Sequence, residues 1–205
     1  MSRIALLLAT IAAAGALAAC GAKTTAPAPV GNHDTRSAEP SIHAVDFLNR
    51  TYEVADGPDA PPEQIAVVKG DAERPNDADG NPQGFFHVDP PAYGDVDGDG
   101  AEDAIVITVD NTGGTGMFDE AQIWSMRGGK PVQIASIPGG DRGDGGLHAA
   151  TAEPGGVRVE RYQSVEGDGA CCPSKLSIEH WRWTGKDLAL DEQRTETIAN
   201  PDAQK

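Results

Sequence analysis

Gln122-Ile123-Trp124-Ser125-Met126-Arg127-Gly128-Gly129-Lys130-Pro131-Val132-Gln133-Ile134-Ala135-Ser136-Ile137 is the stretch on which the fold turns. Polar and apolar residues alternate from Gln122 to Met126, the period of a half-buried strand. Gly128-Gly129 then reverses the chain, and Val132, Ile134 and Ile137 continue on a partner strand. This is a hairpin, and the pattern recurs downstream. Residues 147–151 turn at Pro154-Gly155-Gly156 and return as 157–162, and residues 176–183 pair with 188–194 across Gly185-Lys186-Asp187. Upstream, the β-branched run 104–109 ends at Asp110-Asn111 and the short apolar run 65–68 ends at Gly70, so both read as buried strands. One helical pattern precedes them. Ser41, after Pro40, can cap a helix whose apolar positions Ile42, Val45, Leu48 and Tyr52 fall near a period of 3.6. The expected fold is mainly β: one domain, a curved antiparallel meander, open or closed into a barrel-like sheet, with one N-terminal helix.

Composition agrees. Of 205 residues, 25 are Gly and 15 are Pro, which disfavours long helices. Apolar residues make 39% and aromatics 5%, with a mean hydropathy of -0.39, which suits one modest core. The formal charge is -16, which repels nucleic acid and anionic headgroups and favours cations, so no nucleic-acid partner is expected.

Met1-Ser2-Arg3 is a short basic start, and residues 4–19 are uncharged and almost all Ala, Leu, Ile and Gly, a secretory h-region too short for a stable membrane span. The run ends at Leu17-Ala18-Ala19-Cys20. This resembles the lipobox of bacterial lipoproteins. The resemblance implies that residues 1–19 are a signal peptide, and that Cys20 carries a diacylglyceryl thioether and an acylated, palmitate-type amine that anchor the chain to a membrane. Gly21 follows instead of Asp, which by the same resemblance points to the outer membrane, facing the periplasm. Cleavage removes Arg3 and leaves 32 acidic against 15 basic side chains, a balance of -17, so the domain should stand off from the anionic bilayer. Residues 20–40, with Ala26-Pro27-Ala28-Pro29, Gly31 and Pro40, read as a flexible linker. The single β domain then spans 41–198, followed by a tail at 199–205.

Asp95-Val96-Asp97-Gly98-Asp99-Gly100-Ala101-Glu102-Asp103 carries the strongest chemical signal. Carboxylates stand at its positions 1, 3, 5 and 9 and a Gly at 6, where a sharp turn is needed. With the Ala101 carbonyl, Asp95, Asp97, Asp99 and Asp103 supply five oxygens toward the six to eight that calcium prefers. Position 12 is Val106, inside an apolar run, so an EF-hand does not fit. The stretch resembles the Asp-rich calcium loops of FG-GAP and VCBS-type secreted β proteins, which lead into a strand. That resemblance implies calcium as cofactor and these same five residues as ligands. Asn76-Asp77-Ala78-Asp79-Gly80-Asn81 echoes the loop, but Pro82 and the lack of a later acid make it a solvated turn.

With Cys20 lipidated, Cys171 and Cys172 remain, adjacent and followed by Pro173. A vicinal disulfide in a tight turn, two buried thiols, or a soft-metal site with His148 or His180 all fit an oxidising envelope, the first best. Other motifs carry less. Arg142-Gly143-Asp144 is a turn, and Asn111-Thr112-Gly113-Gly114-Thr115-Gly116 is a loop connection lacking the Lys of a phosphate site. Asn49-Arg50-Thr51 is a weak glycosylation pattern, and Trp124, Trp181 and Trp183 belong in the core. The order of residues 49–52, 95–103, 113–116, 140–142 and 171–173 resembles an uncharacterised group of bacterial envelope proteins.

No Gly-x-Ser-x-Gly or His-Glu-x-x-His spacing occurs. The expected role is a non-enzymatic structural or partner-binding lipoprotein of the cell envelope, with an unidentified protein or glycan partner. Its rival is an envelope hydrolase or enzyme inhibitor with a site dispersed in sequence, for which a deep pocket at Asp119, Glu120 or His148 would be the sign.

Overall fold

The apolar run at 104–109 is continuous because the strand it forms lies between two cores. The computed structural model describes residues 40–55, 61–74, 76, 79–81, 84–141, 146–168 and 173–197. The expectations for residues 1–39, Cys20 among them, for Arg142 to Asp144, for Cys171 and Cys172 and for the tail lie outside these residues.

The described chain is mainly β. A 3-10 turn at Ile42–Ala44 is followed by β1 (Thr51–Val54), β2 (Glu63–Ala66), β3 (Asp71–Glu73), β4 (Phe85–Val88), β5 (Ala92–Gly94) and β6 (Asp103–Asn111). The three hairpins follow as β7 (Phe118–Arg127), β8 (Lys130–Asp141), β9 (Leu147–Glu153), β10 (Gly156–Gln163), β11 (Lys175–Trp183) and β12 (Leu188–Thr197). All pairings are antiparallel, at the turns read from sequence: Arg127 opposes Lys130, Glu153 opposes Gly156, and Trp183 opposes Leu188.

The strands divide into three sheets and do not close into a barrel. β3-β4-β6-β7-β8 form the central sheet, with β5 also on β6; β12-β11-β10-β9 form a second; β1 and β2 form a ribbon. The six hairpin strands are therefore not one meander, because the chain changes sheets between β8 and β9. Pro131 and Pro138 sit in β8, an edge strand where a missing N–H is tolerated.

Alternation on β6 and β7 assigns the two cores. Ala104 and Val106, with Trp124 and Met126, face a cluster built from Ile42, Phe47, Tyr52, Ile65 and Phe86. Ile105, Ala121 and Ile123 face the other side, against Ile137, Ala150, Val157, Val159 and Leu188, with Trp181 and Trp183 alongside. The three tryptophans are thus partly buried and pack against the cores instead of lying within them.

Two elements differ from expectation. The helix from Ile42 toward Tyr52 is only the three-residue 3-10 turn, although Ser41 does cap it, accepting from His43 N at 3.3 Å. Asp46 then caps a further turn through Leu48 N and the Asn49 amide, and Tyr52 pairs with Ile65 in the ribbon. Nor is 65–68 a wholly buried strand: Ile65 and Val67 point inward, while Val68 lies outside at 66% exposure. Asn49 and Asn111 act as braces. Asn49 Oδ1 accepts from Lys69 N, and the Asn111 amide donates to Gly114 and Gly116 carbonyls, which makes 111–116 the hairpin loop between β6 and β7.

Candidate metal centre

β5 and β6 pair with Gly94 opposite Asp103, so residues 95–102 are a loop closed at its base by the sheet. Gly98 and Gly100 take positive φ (77° and 87°), which a β-carbon would disfavour, and this folds the loop back so that its carboxylates converge. One oxygen from each of Asp95, Asp97 and Asp99 lies within 4.8 Å of the others. This arrangement can hold a metal ion.

Backbone N–H groups orient all three. Asp95 accepts from Gly98 N (2.8 Å) and Gly100 N (3.1 Å), Asp97 from Asp99 N (3.1 Å), and Asp99 from Ala101 N (2.9 Å). Such bonds fix the carboxylates before any ion arrives and favour their charged form. The Ala101 N–H, then Arg127, holds the Asp99 carboxyl below the usual carboxylate range.

Asp103 occupies a different place from the one expected. It is not among the converging oxygens; it is fully buried beneath the loop, where Oδ2 accepts from Val96 N (3.0 Å) and Asp97 N (3.3 Å). Its Oδ1 is buried without a well-formed hydrogen bond. Burial pushes its carboxyl up, against the Ser125 hydroxyl and those two N–H groups, which favour the charge. Of the five expected ligands, three converge, Asp103 ties the loop shut at its base, and Ala101 contributes the N–H that holds Asp99.

Arg127, at the end of β7, is the residue that sequence reasoning missed. Its guanidinium donates to Asp99 Oδ2 at 2.6 Å and to Asp97 Oδ2. Three carboxylates less one guanidinium leave a local charge of -2, which suits a divalent ion. Nothing near Arg127 in sequence signals this. Only the β6–β7 register, Ala104 opposite Trp124, carries it to the loop. The loop's outer side also holds the start of the domain: His43 Nε2 lies 2.8 Å from Glu102 Oε2, and the His43 ring stacks on Tyr93 at 3.9 Å.

Of the dispersed set considered for an enzyme, Asp119 and Glu120 line one open cleft, and His148 is not among its lining residues. Burial pushes the Asp119 carboxyl up, and its Oδ2 is held by the Leu147 N–H at 2.9 Å. His148 lies on β9 against the Tyr162 ring at 4.7 Å, and His180 is engaged by Glu153 at 3.0 Å. No family model, curated protein or solved structure matches the chain.

Proposed function

We infer that this chain is a lipid-anchored protein of the bacterial cell envelope, whose β domain binds calcium at the Asp95 loop and serves a non-enzymatic structural or partner-binding role. The convergence of Asp95, Asp97 and Asp99 within 4.8 Å, preoriented by four backbone N–H groups, carries the calcium part of this reading. Hard carboxylate oxygens without nitrogen or sulfur ligands suit calcium over a soft metal. The anchor rests on Leu17-Ala18-Ala19-Cys20 after an uncharged apolar run, and the stalk on the Pro-rich segment behind it. An ion on this loop fastens the β5–β6 connection, which lies at the edge of both cores, and so stabilises the domain that the tether presents.

The test is thermal melting of the full chain in chelator and in millimolar calcium. At a calcium concentration of 100 Kd, linkage gives about 2.7 kcal/mol of added stability, on the order of 5–10 °C for a chain of this size. Asp95→Asn with Asp97→Asn should abolish the shift. Equal melting of the native chain in both conditions would overturn the calcium reading. For the anchor, Cys20→Ser should move the protein from the membrane fraction to the soluble one, and an unlipidated Cys20 in the native protein would refute it.

A further inference from the structure

The open cleft on the ribbon side of the central sheet has a construction separate from the Asp95 loop. It encloses about 350 Å³ between the end of β1 and the face of β6 and β7, lined by Glu53, Phe86, Thr108, Asp110, Phe118 and Glu120. The volume is near the lower end for small-molecule sites. The pairing explains the lining. Thr108 opposes Glu120 and Asp110 opposes Phe118, so the face that is apolar at Ala104 and Val106 turns polar two residues further along β6.

Each acid has a distinct state. Asp110 is already paired, since the buried Arg74, which also bonds Glu63 at 3.2 Å, grips it at 2.8 and 2.6 Å. Glu120 and Glu53 have no such ion pair among the described residues. Among the described residues Glu120 Oε2 accepts only from the neutral Gln122 amide (2.9 Å), whose Oε1 accepts from Trp124 Nε1 (3.1 Å). That ladder of alternate residues along β7 roots the Glu120 carboxylate in the core and aims it into the cleft. Glu53 Oε2 accepts from Gln64 at 3.4 Å. No Lys, Arg or His lines the space among the described residues. At its floor Thr108 is 3% exposed, and its hydroxyl bonds to no described group, which leaves an acceptor directed at the cleft. The Phe86 ring forms part of the same floor, and Phe118 stands at the cleft with 51% exposure.

Two uncompensated carboxylates, a free hydroxyl acceptor and two phenyl rings match one ligand chemistry. An alkylammonium places its N–H donors on carboxylate and hydroxyl oxygens, and its methylenes and positive charge on the aromatic faces. A bare metal ion would leave the rings and most of the volume unused. We propose that this cleft binds a small linear di- or polyamine, with Glu120 and Glu53 taking the ammonium groups, Thr108 accepting a further N–H, and Phe118 covering the chain. The site does not depend on calcium.

Isothermal titration of the full chain with spermidine, at 0.15 M salt and in both millimolar calcium and chelator, tests this. Saturable binding of equal affinity is expected in the two buffers. Glu120→Gln and Phe118→Ala should each weaken it at least fivefold, while Glu192→Gln, on the exposed β12, should leave it within twofold. Should Glu120→Gln fail to fold, Phe118→Ala carries the decision, because its ring is half exposed. Absence of saturable binding up to 10 mM, binding that calcium abolishes, or equal affinity in Phe118→Ala would each overturn the proposal; the last two would assign the amine to the Asp95 loop or to the acidic surface at large.

Discussion

Arg127 bonds to two of the three carboxylates that converge at the loop, so a bound cation and this guanidinium compete for the same negative charge. Replacing Arg127 by Gln leaves the repulsion among Asp95, Asp97 and Asp99 uncompensated in chelator and relieved by the ion in calcium. The difference in melting temperature between the two buffers should therefore widen in Arg127→Gln relative to the native chain. A difference that narrows would mean that Arg127 supports the ion instead of standing in for it. His87 offers a second single-residue test. Its Nδ1 lies 2.7 Å from Asp71 and its Nε2 3.3 Å from Asp89, and the bond to Asp71, foremost, holds its pKa above the ordinary 6.5. A pKa raised on folding stabilises the protonated form, so the contribution is complete below pH 6.5 and is lost as pH rises through the folded value. The stability gap between native chain and His87→Gln, measured by denaturant titration from pH 5.5 to 8.5, should shrink toward high pH. A gap that grows with pH would refute the assignment. Much of the loop chemistry at this scale is legible, because an Asp at every second position followed by Gly states its own geometry. The separate duty of Asp103 is not, since the N–H groups it holds belong to Val96 and Asp97, at the far end of the loop.

Lys69 departs from local preference at the level of the element. It adopts φ +56° before Gly70 at +89°, in the turn where Val68 N and Asp71 O bond at 2.9 Å between β2 and β3. Successive positive φ values are what Asn-Gly adopts readily and Lys-Gly does not. Lys69→Asn should stabilise the domain by about 0.5–1 kcal/mol, since the Asn49 contact uses the backbone N–H and survives the change. Gly70→Ala should destabilise strongly, because a β-carbon there would stand 2.6 Å from the Val88 carbonyl oxygen. Chemical denaturation reads both, and an unchanged midpoint in Gly70→Ala would contradict the packing. The hairpins were readable since each is a local event: two alternating runs and a Gly turn between them. The expected helix shows the opposite case. Ile42, Val45, Leu48 and Tyr52 keep a helical spacing, yet Phe47, off that stripe, is among the most deeply buried side chains, at 1% exposure. A chain laid over the central sheet buries whichever side chains reach it, and two caps at Ser41 and Asp46 divide it into turns too short to propagate a helix.

At the scale of the whole molecule, the partition into sheets had no local signature, because nothing in 141–147 states that β9 leaves β8 and begins a new layer. The continuous apolar run of β6 did carry a trace of it, since a strand without polar alternation must be covered on both faces. That double burial has a thermodynamic consequence. β6 and β7 give Val106 and Trp124 to one core and Ile105 and Ile123 to the other, so neither core can lose its central strands without exposing its neighbour. The domain should unfold in one transition. Val106→Ala and Ile123→Ala, one on each side, should each cost about 2–4 kcal/mol and lower the same midpoint. The tryptophans make this measurable, as Trp124 packs against the first core while Trp181 and Trp183 pack against the second. Fluorescence from a variant retaining only Trp124, and from one lacking only Trp124, should give coincident melting curves that also match far-ultraviolet circular dichroism. Separate midpoints, with Val106→Ala moving one and Ile123→Ala the other, would mean that the ribbon layer and the four-stranded layer fold independently on a sheet that does not couple them.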